Sequence, residues 1–106
     1  MLLYNKDMRK ENNKRIKSAK QMERHLKGMA NHYRIEILLL IDQSKRITLE
    51  GIVKILRANE KTIGEHVRRL FMAGLVDKKH NGKFVEHTLS PYGKIFANFL
   101  KSFKDI

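Results

Sequence analysis

The sequence predicts a mainly helical fold with one small β-hairpin, in the α+β class. Apolar residues recur every three or four positions over most of the chain, which is the spacing of amphipathic helices. In the last third, Asn81-Gly82 separates two strand-like runs, and Asn-Gly between such runs is a strong hairpin signal. These signals occur in the order four helices, a hairpin and a final helix.

The composition indicates one small folded domain with a basic surface. The chain has 106 residues, 42% of them hydrophobic, with one proline and six glycines, so we expect it to fold as a single domain over residues 1–106. Its 23 Lys and Arg residues exceed its 11 Asp and Glu residues and leave a net charge of +12. Such a charge favours nucleic acid, an anionic membrane surface or an acidic protein as the partner.

The cysteine content and the lengths of the apolar runs indicate in which cellular compartment the protein is expected. The chain contains no cysteine, which excludes disulfides and thiolate metal sites and fits a reducing cytosol. The first 14 residues lack an apolar segment of signal-peptide length, and the longest apolar run, residues 37–41, is too short to span a bilayer. We therefore expect a soluble, cytoplasmic protein.

The first predicted helix covers residues 8–30 and has a narrow apolar stripe. A narrow stripe on a long helix suits packing against a partner helix better than burial in a compact core. Residues 1–30 also hold nine Lys and Arg residues against three acidic residues. We therefore interpret residues 1–30 as a basic N-terminal helical extension used in dimerisation. The stripe consists of Ile16, Ala19, Met22, Leu26 and Met29.

Three shorter helices follow, and each starts at a residue type that caps helix N-termini. The candidate caps are Asn31, Thr48 and Asn59. The second of these helices is predicted to end at Leu56 and the third at Ala73. All three have apolar residues at helical spacing, so we expect them to form the core.

The hairpin and a last helix complete the chain. Ser90 and Pro91 supply an N-cap and a first-turn proline for a helix that runs to Phe103. Three helices joined by short turns and followed by a two-stranded hairpin describe a winged helix-turn-helix. The predicted order is α1-α2-α3-α4-hairpin-α5.

The fourth helix and the hairpin supply the candidate nucleic-acid surface. On a helical wheel, Ile63, Val67 and Leu70 point to the core with Phe71 at its edge, while polar side chains face outward. A helix that enters the major groove needs such donors, and a basic hairpin tip suits a neighbouring phosphate backbone. For the helix alone, charges that contact only water are an equally good interpretation. The candidate DNA-binding residues are Thr48, Asn59, Glu60, Lys61, Thr62, Glu65, Arg68, Arg69, Lys78, Lys79, His80 and Lys83.

Three segments resemble a known family. "GMANHYRIEIL" (28–38) is similar to the run Ala-Leu-x-Asp/Asn-x-x-Arg-x-x-Ile-Leu, and "KTIGEHVRRLFMAGLV" (61–76) resembles the recognition helix Ser-Thr-Val-Ser-x-His-Leu-x-x-Leu-x-x-Ala-Gly-Leu-Val. "NGKFVEHTLS" (81–90) is similar to the wing and its return strand. By these segments, residues 27–90 resemble the winged helix-turn-helix transcriptional regulators of the ArsR kind, with a weaker likeness to the MarR group.

The resemblance implies a homodimeric, repressor-like regulator that binds specific double-stranded DNA sequences. Residues 59–73 would enter the major groove and the wing, residues 77–86, would lie on the backbone. Such a protein would be cytoplasmic and nucleoid-associated when bound to DNA. The first and last helices would form the dimer interface. Its candidate residues are Ile16, Met22, Leu26, Met29, Ile95, Phe96, Phe99 and Phe103.

The sequence departs from the family pattern at three places. Arg57-Ala58 replaces the Gly-Leu of the turn, Gly64 replaces a serine, and Glu65 stands where arginine is frequent. A carboxylate at Glu65 would be repelled by phosphate but could accept a hydrogen bond from a cytosine amino group. The target sequence therefore does not follow from the resemblance.

The residues indicate no metal, cofactor or enzyme activity. The family's third-helix metal site needs cysteines, and this chain has none. Its last-helix site uses Asp and His pairs, and the predicted last helix contains no histidine. Among the five histidines only His25 and His32 lie near each other, across a helix break. We expect His87 to be a packing residue and His66 to be structural or phosphate-facing. A pairing of His66 with Glu65 or Asp77 lacks a pocket, so we predict no catalysis.

Other partners and ligands stay open at this point. A winged helix can instead bind protein, and the charge equally fits RNA or nonspecific, architectural nucleic-acid binding. A small-molecule effector is also open, since Met29, Phe96, Phe99 and Phe103 could line a pocket, although such stripes more often belong to a core or a dimer interface.

Overall fold

The computed structural model describes residues 16–106. Within them lie five helices and three short strands, in the predicted order and of the predicted mainly helical class. Residues 1–15, which include the start of the predicted first helix and half of the basic extension, lie outside the described residues. The elements are α1 (Ala19–Met29), α2 (His32–Ser44), β1 (Ile47–Thr48), α3 (Leu49–Leu56), α4 (Glu60–Met72), β2 (Val76–Asn81), β3 (Phe84–Leu89) and α5 (Pro91–Lys104).

Polar side chains cap the helices where the sequence predicts it. Asn31, Thr48, Asn59 and Ser90 each accept a hydrogen bond from a backbone N–H in the first turn of the helix that follows. The prediction of a continuous first helix over residues 8–30 is wrong at residues 16–18. These residues are not helical because Ser18 forms a reciprocal capping box with the first turn of α1.

The sheet has one more strand than the sequence predicts. β3 lies in the middle, with the hairpin partner β2 on one side and the two-residue strand β1 on the other, both antiparallel to it. The sequence places the hairpin turn at Asn81-Gly82, but Asn81 still pairs with Phe84, so the two turn residues are Gly82 and Lys83. Gly82 adopts a left-handed φ of 63°. β1 ties the connection between α2 and α3 to the wing, so the wing's base is held on both edges.

The core fixes the direction in which α4 faces. Ile37, Leu38 and Ile41 of α2 and Ile52 of α3 are fully buried, and Ile63, Val67 and Leu70 of α4 are buried against them. Phe71, predicted at the edge of this core, is instead 41% exposed, and Nζ of Lys78 lies 4.6 Å from its ring centroid.

α1 and α5 attach to this core through close contacts. Nδ1 of the buried His25 donates a hydrogen bond to the carbonyl oxygen of Ala73 at 2.6 Å, and its ring lies 4.9 Å from that of Tyr92. Gly93 lets α5 approach the backbone, because a Cβ there would lie 1.9 Å from the carbonyl oxygen of Leu75. Asp42 of α2 accepts hydrogen bonds from Lys101 and Lys94 of α5, and these bonds lower the pKa of its carboxyl group.

Across residues 16–106, the helices are all too short or too polar to traverse a lipid bilayer.

Candidate nucleic-acid interface

The outer face of α4 is built by burial of its inner face. Because Ile63, Val67 and Leu70 are at most 3% exposed, the opposite side of the helix points to solvent. The residues that this leaves exposed include six of the predicted DNA-binding set. They are Glu60, Lys61, Thr62, Glu65, Arg68 and Arg69.

Two other members of the predicted set serve as helix caps. The side-chain oxygen of Thr48 accepts from the N–H of Gly51 at 3.1 Å, and that of Asn59 accepts from the N–H of Thr62 at 3.1 Å. Each oxygen thereby satisfies a backbone donor that the helix cannot satisfy itself. These residues stand at the starts of α3 and α4 and position the helices.

An ion pair on the outer face was not foreseen from the sequence. Arg68 Nε donates to Glu65 Oε1 at 2.7 Å, and Nη2 of Arg68 lies 2.6 Å from the same oxygen. The hydrogen bond from Arg68 lowers the pKa of Glu65. The pair is solvent-exposed, and exposed ion pairs contribute little to stability, so Arg68 can exchange Glu65 for another partner at small cost.

The wing presents its basic residues on two faces. Lys78 is in register with His87 and, together with His80 and Lys83, lines a groove between the wing and α4. Lys79 is in register with Glu86, which places it on the other face of the hairpin. The predicted wing lysines therefore surround the hairpin and do not form a single row.

The departures from the family pattern have local structural consequences. Arg57 adopts the left-handed conformation with φ 53° at the end of α3, the conformation that glycine usually provides. A Cβ on Gly64 would contact only Leu49, at 3.7 Å. Gly64 therefore leaves the groove beside the wing open and does not relieve a clash.

The two histidines singled out in the sequence have different surroundings. His87 is buried in the sheet, as predicted, and its Nδ1 donates to the carbonyl oxygen of Ile47 at 3.0 Å. His66 lies on the flank of α4, where Arg34 Nη1 is 3.0 Å from its Nδ1 and the ring of Tyr33 stacks on it at 5.2 Å. Arg34 was noted in the sequence only as part of a family motif, and its contact with His66 was not predicted.

Acidification is expected to destabilise the fold through these two histidines. Burial is the largest cause that lowers the pKa of both His66 and His87. An unfolded histidine has a pKa of about 6.5, so below pH ~6.5 the unfolded chain binds more protons than the folded chain and the free energy of unfolding falls. Urea unfolding at a series of pH values from neutral to mildly acidic should show this decline.

A single substitution separates this effect from general acid sensitivity. His66→Gln should make the decline with pH shallower than in the wild type. Equal slopes for wild type and His66→Gln would contradict the assignment of His66.

The predicted dimer residues divide into two groups. Met29 is buried in the chain's own core and Phe96 is half-buried against it, so both offer less surface to a partner than the sequence suggested. The rings of Phe99 and Phe103 stack with centroids 5.6 Å apart. The remaining candidates are 40–61% exposed, and they are Ile16, Met22, Leu26, Ile95, Phe99 and Phe103.

No group of three or more His, Cys, Asp or Glu side chains that could hold a metal ion occurs in the part of the chain from residue 16 onward.

Comparison with known proteins identifies the fold. No protein-family model and no curated protein matches the chain. Among solved structures, HlyU from Vibrio cholerae N16961 has a TM-score of 0.73 and 23% identity, over 80% of this chain and 92% of that chain. The transcriptional regulator HlyU from Vibrio vulnificus CMCP6 has a TM-score of 0.69 and 26% identity, over 92% and 95%.

A third similar structure is the homodimeric winged helix-turn-helix DNA-binding domain of Mb0332 from Mycobacterium bovis, a possible ArsR-family transcriptional regulator. Its TM-score is 0.73 at 23% identity, over 81% of this chain and 80% of that chain. The element order, the three-stranded sheet and these likenesses agree with one another. The chain has the winged helix-turn-helix fold of ArsR-like transcriptional regulators.

Proposed function

We propose that this protein is a transcriptional regulator that binds specific double-stranded DNA sequences as a homodimer. Residues 59–73, which contain α4, enter the major groove, and the wing, residues 77–86, lies on the phosphate backbone. The observation that supports this best is a helix with three buried anchors and a polar outer face, standing beside a basic hairpin. The same fold in the DNA-binding domain of Mb0332 supports it further.

In this proposal α4 recognises the base sequence and the wing binds the phosphate backbone. The buried anchors of α4 hold the backbone of the helix rigidly, so Lys61, Thr62 and Arg68 reach fixed positions along the groove. Hydrogen bonds from such positions to base edges distinguish one sequence from another. The wing lysines have flexible ammonium groups that act as point charges, and these attract phosphates of any sequence.

The exposed apolar residues of α1 and α5 support the proposal of a homodimer. On α1 and α5, large apolar side chains such as Leu26 and Phe99 are exposed to water. This exposure is unfavourable unless a partner covers the side chains. A two-fold arrangement covers both at once and presents two copies of α4 to half-sites about one helical turn of DNA apart. Residues 1–30 would contribute to this interface, and the regulator would act as a cytoplasmic, nucleoid-associated repressor without cofactor or catalysis.

Two other functions fit parts of the same surface. An architectural protein would use the charge of +12 and bind all duplexes alike. A winged helix that binds protein would use α4 against an acidic partner. Neither alternative requires hydrogen-bond donors at fixed positions on a rigid helix. A regulator that reads bases does require them, and α4 provides them.

Selection from a random pool of duplexes by the purified protein tests the proposal. We expect a two-fold symmetric motif to be enriched, with half-sites about 10 base pairs apart. Salt-sensitive binding without an enriched motif would favour the architectural function. Absence of duplex binding at low salt would favour the protein-binding module.

A further inference from the structure

Three side chains form a cationic cluster on the flank of α4, which we define as Arg34, His66 and Arg69. Arg34 comes from the first turn of α2, and the other two come from α4. Nη1 of Arg34 lies 3.0 Å from Nδ1 of His66. Because a guanidinium can only donate, His66 accepts at Nδ1, and the proton of its neutral ring is therefore on Nε2.

Among the residues that the structure describes, Arg34 is buried and has no anionic partner. Its exposure is 9%, its Nε has no hydrogen-bond partner, and it takes part in no salt bridge to another residue within 16–106. A buried charge is usually paired, because an unpaired buried charge is costly. Within residues 16–106, the guanidinium of Arg34 therefore lacks the counter-charge that a buried cation usually has.

The neighbours of Arg34 add positive charge. Burial and the charge of Arg69 lower the pKa of Arg34. Burial, and then the charges of Arg34, Arg69 and His32, lower the pKa of His66. The acidic side chain that acts on His66 is that of Glu65. It raises the pKa of His66, but its effect is smaller than each of the effects that lower it. That carboxylate is already hydrogen-bonded to Arg68. In the described part of the chain, the cluster therefore concentrates positive charge, and the acidic side chain acting on it, Glu65, is already engaged by Arg68.

We propose that the cationic cluster binds a phosphate group of the DNA backbone. This inference rests on the proposed function and adds a contact made by α2, separate from the base-reading face and the wing. Arg69 is exposed and lies on the same helix as Lys61 and Arg68, so a duplex in contact with the outer face of α4 passes close to it. The phosphate supplies the missing counter-charge, and it accepts hydrogen bonds from Arg69 and from Nε2–H of His66.

Each component of the cluster has a distinct role. Arg69 is exposed and contacts the phosphate directly. Arg34 is buried beneath His66 and adds positive charge that attracts the phosphate. Tyr33, which stacks on His66 and is itself packed against the ring of His32 at 4.4 Å, holds the imidazole in place. The contact is to phosphate, so it strengthens binding to every duplex and does not select a sequence.

The salt dependence of duplex binding tests the cluster. Arg69→Gln should reduce the slope of log affinity against log salt concentration by about one unit, because it removes the phosphate contact. Arg34→Met should also reduce the slope, because it removes the buried charge that attracts the same phosphate. The matched control is Arg24→Gln, which removes the same charge from an exposed position on α1 and should leave the slope unchanged. Thermal unfolding establishes that each variant is folded. If Arg34→Met does not fold, Arg69→Gln and the wild-type NMR titration decide the question.

NMR signals of the His66 ring distinguish the sources of phosphate. Addition of duplex should shift these signals in the wild type, and the shift should be much smaller in Arg69→Gln. Inorganic phosphate at constant ionic strength should produce little change at equal phosphate concentration. If inorganic phosphate saturates the shift while the salt slopes of the variants equal that of the wild type, the site binds free phosphate and the DNA contact is wrong.

Failure of this inference differs from failure of the proposed function. If the wild type binds duplex but His66 does not respond and both variants keep the wild-type slope, only the cluster assignment is wrong. If the wild type binds no duplex, the proposed function and the cluster assignment are both overturned.

Discussion

The double substitution Leu26→Glu, Phe99→Glu is expected to make the protein monomeric and to weaken its binding to a two-half-site duplex by about a hundredfold or more. Both side chains are about half exposed, one on α1 and the other on α5. In a dimer that covers them, a glutamate would have to be buried without a partner, which is strongly unfavourable. Sedimentation equilibrium measures the dissociation, and fluorescence anisotropy with a labelled duplex measures the loss of affinity.

The control for this experiment is Ile55→Glu. Ile55 is an exposed apolar residue on α3, so its replacement makes the same chemical change away from α1 and α5. This variant should sediment as the wild type does. A wild type that is monomeric throughout the micromolar range would show that α1 and α5 do not form the interface.

Replacement of Lys78, Lys79 and Lys83 by alanine is expected to weaken binding to all duplexes to nearly the same degree. Each lysine that contacts a phosphate contributes about one unit to the slope of log affinity against log salt concentration, so the slope should become shallower by up to about three units. Anisotropy titrations at several salt concentrations measure this. Because Lys79 lies opposite Glu86 on the other face of the hairpin, we expect Lys79→Ala alone to have a smaller effect than Lys78→Ala alone.

Loss of affinity for one sequence only would contradict the role of the wing as a backbone contact. The matched control is Lys104→Ala, which removes one lysine charge from an exposed position at the end of α5 and should change neither affinity nor slope.

The features that could be predicted from the sequence are those set by local chemistry. Asn31, Thr48, Asn59 and Ser90 cap helices because their side chains bond to N–H groups two or three residues away. The hairpin could be predicted from Gly82 because glycine readily adopts a positive φ, although the turn itself is Gly82-Lys83 and Asn81 is the last residue of β2. The outward direction of α4 follows from the spacing of its apolar residues. These signals lie within a few positions of each other in the chain.

The features that were missed depend on contacts between distant segments or on side-chain conformation. β1 has two residues, too few for a visible alternating pattern, and it is a strand only because β3 lies beside it. Arg34 and His66 are far apart in sequence and meet only when α2 packs on α4. The spacing of Glu65 and Arg68 allowed an ion pair, but whether the two side chains bond depends on their rotamers.

The burial of the candidate dimer residues also depends on contacts between distant segments and could not be predicted from helical spacing. Helical spacing places Met29 on one stripe with Leu26, yet Met29 is buried in the chain's own core while Leu26 is exposed. Periodicity indicates which residues share a face of a helix. How much of that face the rest of the chain covers depends on how α1 crosses its neighbours.

The affinity of Arg68→Ala for a preferred duplex and for a scrambled duplex of the same composition tests most directly whether α4 reads bases. Since the core anchors fix the reach of Arg68, its loss should cost roughly 1–3 kcal/mol on the preferred duplex and clearly less on the scrambled one. Glu65→Gln is a useful companion variant, because it weakens the ion pair while retaining Arg68. An equal loss of affinity for both duplexes in Arg68→Ala would contradict base reading by α4.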